Sequence, residues 1–261
     1  MLSAYLLLVR AGFRRHSTYL TASLAGLFTN TVFGLLRVAV LLAVVAPTGQ
    51  AAGYDAAATS TFVWIGQGLL AVVLLWGDGD LADRVRTGDI AIDLARPWNL
   101  QAALLAGEIG RAGHAVLFRF APPVVFGALV LPFRWPGHPV TVLLFAGSVL
   151  LAVVISAQLR FLLDLTAFWL LDARGVRAVY NSAGGALSGL TVPLAFFPDA
   201  VRGLLYATPF PALIQTPIDV FTERGPLPAL LAHQLAWAVA LVGLGHLVLA
   251  RATRKLVVQG G

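Results

Sequence analysis

Six stretches of the chain, residues 21–46, 59–76, 112–131, 140–159, 176–195 and 228–250, are long and apolar enough to cross a lipid bilayer. Nothing else in the sequence limits its fold so sharply. Roughly 20 residues of helix span about 30 Å of hydrocarbon. No water serves the backbone there, so every N–H and C=O must be satisfied within a helix or a closed barrel. The stretches lack the alternation of barrel strands, which leaves the helix. The expected fold is an all-α polytopic membrane protein, with six transmembrane helices in one domain over residues 1–261. Composition agrees, with 59% hydrophobic and 11% charged residues.

Orientation follows from the arginines. If the amino terminus is cytoplasmic, twelve cationic side chains fall on inner segments, and only Arg134, Arg202 and Arg224 on outer ones. The positive-inside rule then puts both termini in the cytoplasm of a multi-pass cell-membrane protein. Residues 1–19 place Arg10 and Arg14 four apart beside an apolar face, the pattern of an interfacial helix on the inner leaflet. A short solvated tail is the simpler alternative. A cleaved signal peptide is not expected, because the apolar run after Arg15 exceeds an h-region and no A-x-A site leads into a soluble domain.

Several chemistries are excluded by residue counts. Lys255 is the sole lysine, and no glycine-rich loop precedes it, so the chain has no P-loop. There is no cysteine, which removes thiolate catalysis, disulfides and cysteine-ligated metal. The five histidines, 16, 114, 138, 233 and 246, lie in different segments without H-E-x-x-H spacing, so no metal site and no catalytic residue is expected. The arginines are scattered between apolar runs instead of forming a basic face, which argues against nucleic acid.

Two segments are not spans. Residues 77–111 carry six acids and four arginines, including Asp78, Asp83, Arg84, Arg86, Asp89, Asp93, Arg96, Glu108 and Arg111. The pattern predicts two short helices broken at Gly88 and stopped before Pro97, forming either a docking surface or an ordinary solvated loop. Residues 193–228 hold seven of the fourteen prolines, among them Pro193, Pro198, Pro209 and Pro217. No straight helix survives that density, yet the intervening residues are apolar, so short broken helices dipping into the outer leaflet are expected.

In order and spacing these features resemble the permease subunits of type-2, exporter-class ABC transporters, the small six-span permeases that work with a separate ATPase. The resemblance rests on the amphipathic amino-terminal helix, on Gly88-Asp89-Ile90 with Leu94, Arg96 and Pro97, and on the stretch from Ser188 to Pro198 followed by Pro209-Phe210 and Pro217. It implies a non-catalytic subunit whose segment around Asp83, Arg84, Arg86, Gly88, Asp89, Asp93, Arg96 and Pro97 couples to a nucleotide-binding ATPase subunit. It implies re-entrant helices over residues 193–228, and a second permease, identical or related, as partner. ATP and magnesium would reside in the ATPase, with no cofactor in this chain, and membrane lipids would surround it.

Inside the spans, Asn30, Arg37 and Arg119 are candidates for a translocation path, since an intramembrane arginine costs at least about 2.5 kcal/mol. Arg37 equally suits snorkelling to an interface. Arg119 precedes Pro122-Pro123, whose missing N–H groups free carbonyls for a guanidinium. Arg160 and Asp164, four apart, are expected to form a structural ion pair. Gly185 and Gly189 form a G-x-x-x-G helix-packing face. Two other classes stay open. A secondary transporter would show repeated halves, which are not evident. A rhomboid-like protease would use Ser188 with His233 or His246, but the first glycine of G-x-S-G is replaced by Ala186.

Overall fold

The computed structural model describes residues 2–17, 20–77, 79–170 and 173–254, and its named elements are all helical. Asp78 and Lys255, counted in the charge pattern, lie outside the described residues. The first helix, α1 (Leu2–Ser17), is amphipathic, with Leu2, Leu6 and Leu7 exposed. Five candidate spans follow it, at Ala25–Val45, Ala56–Leu74, Leu100–Val130, Pro139–Phe168 and Leu227–Thr253.

The first span belongs to α2 (Leu20–Val45). The second, α3 (Ala56–Leu69), is capped by Asp55, which accepts the Ala58 N–H at 2.8 Å, and it ends in a π-turn over Leu70–Leu74. Every residue from Ala58 to Leu69 is buried, so α3 is the central helix around which the others stand. Lipid is as apolar as the side chains, so helices associate by close packing, and small residues set the approach. Trp64 shows this. A Cβ on Gly127 would fall 2.2 Å from its Cγ, and one on Gly34 2.8 Å from its Cζ3, so the indole is slotted between two glycines.

Two short helices come next, α4 (Asp80–Thr87) and α5 (Ile90–Leu94), joined at Gly88 with φ +84°. The third span is longer than expected. Its helix α6 (Leu100–Ala115) is capped by Asn99, and it continues through a π-turn at Val116–Phe120 into α7 (Ala121–Val130). Thirty-one residues reach about 46 Å at 1.5 Å each, so about ten residues of helix extend past the hydrocarbon. Glu108 and Arg111 therefore belong to this helix and not to the loop. The π-turn also changes the expectation for Arg119. The Ala121 N–H reaches back to the Val116 carbonyl, so the ladder itself adapts to Pro122 and Pro123. Arg119 forms no hydrogen bond to the freed carbonyls among the described residues; it lies across Gly26 of α2.

The fourth span is α8 (Pro139–Leu165), prolonged by a 3₁₀ turn at Thr166–Phe168. Where a span over residues 176–195 is expected, α9 (Arg174–Leu187) has 14 residues, about 21 Å of rise and too short for a full crossing. It stops at Gly189, φ +78°, where the Leu190 N–H bonds the Gly185 carbonyl at 3.0 Å and the Gly189 N–H the Ala186 carbonyl at 3.3 Å. This is a Schellman termination. The G-x-x-x-G expectation is thereby corrected: Gly189 ends the helix, and Gly185 meets only Trp76 and residues 190–191 at ordinary contact distance.

After a 3₁₀ turn at Leu194–Phe196, the proline-rich stretch forms α10 (Asp199–Tyr206) and α11 (Gln215–Phe221). Pro193 and Pro198 flank the turn, Pro209 sits in the connection, and Pro217 lies in the first turn of α11, where no N–H is required. All of α11 is buried against α8 and α3. The last span, α12 (Leu227–Thr253), packs along α8, joined by Ser148 donating to Gln234 Oε1 at 2.7 Å.

Candidate coupling and translocation site

At one end of the bundle, α4 and α5 sit on the ends of three spans. Leu81 and Ile90 join Leu100, Phe161, Leu165 and Leu249 in one apolar cluster, with Val85 and Leu94 against it. The two short helices are also fastened to each other. The Arg84 guanidinium pairs with Asp93 across Gly88 and reaches Asp80 at 3.5 Å, while Arg96 approaches Asp93 at 3.6 Å. Arg84 and Asp93 are therefore half-buried or buried internal fasteners, which corrects their expected place on a docking face. What the unit presents outward is Asp83 and Arg86, paired with each other at 3.1 Å, together with Thr87, Gly88, Asp89, Ile92, Arg96 and Pro97. Ile92, at 63% exposed, is an apolar side chain at the tip of a charged unit.

α1 lies against α6 with near-contact of backbones. A Cβ on Gly12 would fall 2.3 Å from the Gly107 carbonyl oxygen, and one on Gly110 2.0 Å from that of Val9. The amphipathic amino-terminal helix is thus seated on the third span. Glycines 107, 110 and 113, three apart, were the unread signal for this seat.

Between α4, α6, α8 and α9 opens a cavity of about 670 Å³. Glu108 on its wall accepts from Arg111 at 2.9 Å and from Arg160 at 2.5 Å. Arg177 donates to Asp164 at 2.6 Å. The expected Arg160–Asp164 pair is therefore replaced by two pairs that cross between helices. Arg111 does more: its Nη1 and Nη2 donate to the Ala71 and Val72 carbonyls at 2.9 and 2.8 Å, filling acceptors left by the π-turn of the second span. The Ser156 hydroxyl takes the Leu74 carbonyl at 2.9 Å, beside a Leu74 held at φ +53°. The junction between the central span and α4 is thus fixed from α6 and α8. The i,i+3 spacing of Glu108 and Arg111 was legible, but their carbonyl partners were not.

Asn30 and Arg37 meet through Gln67. Asn30 Nδ2 donates to the Gln67 carbonyl at 2.9 Å; with the Gln67 amide oriented to satisfy both sides, its oxygen accepts from Arg37 Nη1 at 3.2 Å. Arg37 Nη2 donates to the carbonyls of Leu190 and Thr191, just past the end of α9. Its charge serves the broken backbone.

The opposite end holds Arg134, Arg202 and Arg224. Arg134 pairs with Asp55 at 2.6 Å, Arg202 with Asp199 at 2.7 Å, and Arg224 lies 3.9 Å over the Tyr54 ring while donating to the Gly53 carbonyl. Glu223 accepts from the Thr141 hydroxyl at 2.6 Å and from the His138 N–H at 3.1 Å, which holds its carboxyl down at about 2.

The sequence matches the family model of the ABC-2 family transporter protein over residues 30–260. The chain belongs to that family. A search of curated proteins gives no match. As an ABC-2 type permease it is a transmembrane component of a transporter, of a kind that is typically non-catalytic. In the permease the buried Ser188 hydroxyl donates to the Gly185 carbonyl, and His233 Nε2 lies within hydrogen-bond distance of the Tyr206 carbonyl and the Trp237 indole. No group of three or more metal-ligating side chains occurs among the described residues.

Proposed function

We propose that the chain is the permease subunit of an ATP-driven exporter, forming the translocation path and coupling through α4 and α5 to a separate nucleotide-binding ATPase subunit. ATP and magnesium act in that partner. The observation carrying this reading is the α4–α5 unit itself. It is cross-fastened by Arg84 and Asp93, rooted in an apolar cluster with α6, α8 and α12, and free to present Asp83, Arg86, Asp89 and Ile92. A rigid unit of this kind passes a displacement to three spans at once instead of absorbing it.

In this reading the chain crosses the membrane six times as one domain, the fifth crossing being made by α9 and the broken segment after it. Both termini are cytoplasmic, α10 and α11 are re-entrant at the outer mouth, and two permeases, identical or related, share the path. The central test is copurification of the ATPase subunit with wild-type permease and with Asp83→Arg, Arg86→Glu and Ile92→Asp variants. Retention of the ATPase by all three, with unaltered transport-linked turnover, would remove α4 and α5 from the coupling role. A secondary transporter would instead transport without any ATPase.

A further inference from the structure

We propose that the cavity between α4, α6, α8 and α9 binds an oxyanion, a phosphate or carboxylate, carried on a partly apolar molecule. This rests on the transport reading above and names the substrate class for the inner end of its path. Ten buried side-chain polar atoms lack a partner among the described residues, and four belong to residues lining this one cavity: Arg84 Nε, Arg160 Nε, the Tyr180 hydroxyl and Asn181 Oδ1. An unmet buried polar group costs about 1–3 kcal/mol, so a concentration of them at one cavity marks a place where a ligand completes the bonding. Three of the four are donors, two of them on guanidinium groups. The four described acids on the same wall already have cations, Asp80 with Arg84, Asp83 with Arg86, Glu108 with Arg111 and Arg160, and Asp164 with Arg177. Among the described residues the unmet groups are mostly donors, and an anion supplies the acceptors. Leu104, Leu105 and Phe161 on the wall give the apolar contact.

Tyr180→Phe separates this from a structural accident, because it removes only the unpartnered hydroxyl. Were that hydroxyl idle, the variant would be equally or more thermostable and every binding property would be unchanged. The experiment uses the purified permease–ATPase complex, titrated calorimetrically with dihexanoyl phosphatidic acid, with dihexanoylglycerol and with inorganic phosphate. The expected result is saturable binding of the phosphatidic acid, none of the diacylglycerol, and about tenfold weaker binding by Tyr180→Phe at unchanged melting temperature. Competition by inorganic phosphate at similar concentration assigns the oxyanion to a free anion; competition only at far higher concentration assigns it to the amphiphile. Equal binding of the diacylglycerol, or an unchanged affinity in Tyr180→Phe, overturns the proposal. Retention of the ATPase subunit in the same preparations reports separately on the coupling reading.

Discussion

Replacement of Gly88 tests whether the α4–α5 turn transmits force. Gly88 has φ +84°, its N–H closes α4 on the Val85 carbonyl at 3.4 Å, and a Cβ built there meets nothing within 4 Å. An alanine therefore has room, and its cost is conformational alone, about 1–2 kcal/mol for an L-residue held in the left-handed region. That corresponds to roughly a 5- to 30-fold loss in the population of the formed turn. Proline cannot adopt this conformation, since its ring fixes φ near −65°. The order expected for ATPase-subunit retention and for substrate-dependent turnover is wild type, then Gly88→Ala with a partial loss, then Gly88→Pro with none left. The thermal transition of the membrane bundle should stay in place, because Leu81 and Ile90 anchor the two helices independently of the turn. Wild-type retention and turnover in Gly88→Pro would show that the turn bears no load, and the segment would then be an ordinary solvated loop.

Three further outcomes are expected. Arg84→Gln should destabilise the α4–α5 end of the bundle by about 3 kcal/mol, because Asp93, whose side chain is 11% exposed, loses its main cation; a melting temperature within one degree of wild type would contradict this. Gly127→Ala drives a methyl group into the Trp64 indole and should cost about 1–3 kcal/mol, read as an earlier thermal transition in detergent. At the opposite end, Glu223 has a depressed carboxyl pKa, about 2 against an ordinary 4.5, so its contribution to stability is complete above pH 4.5 and is lost as pH falls through 2. Glu223→Gln should flatten the acid limb of a melting-temperature profile, and an unchanged profile would show that the carboxylate does not hold the loop before α8.

Where the sequence was read by length and period, it located the architecture. Five of the six apolar stretches fall on spanning helices that contain most of them, and the break at Gly88 and the short helices among the prolines are where turn chemistry requires them. Errors came at the ends. The third span starts at Leu100 because Asn99 caps it there and Glu108 and Arg111 satisfy each other on one face, so mixed charge did not mean loop. The fifth stretch looked continuous because hydropathy is blind to a left-handed glycine, and Gly189 breaks the helix without altering the apolar count.

The site was less legible than the fold for a reason that lies in the chemistry of intramembrane charge. A sequence exposes only local pairings, so Arg160 is naturally matched to Asp164 one turn away. A buried guanidinium, however, has five donors and takes whichever acceptors the fold places at its fork, including backbone carbonyls released by a π-turn or a helix end. Arg111 on Ala71 and Val72, and Arg37 on Leu190 and Thr191, are both of this kind. Each cation sits where a span departs from regular helix, and each comes from a different helix. The departures and the arginines are therefore one device. A span that must bend or end inside the bundle exposes carbonyls, and the neighbouring helix supplies the cation that allows them to stay buried. Replacing Arg111 with leucine should thus disturb the second span at Leu70–Leu74, where the freed carbonyls lie, more than α6, which carries the mutation; site-specific hydrogen exchange at residues 70–77 and at 108–115 measures both. Faster exchange confined to residues 108–115 would show that the guanidinium supports only its own helix.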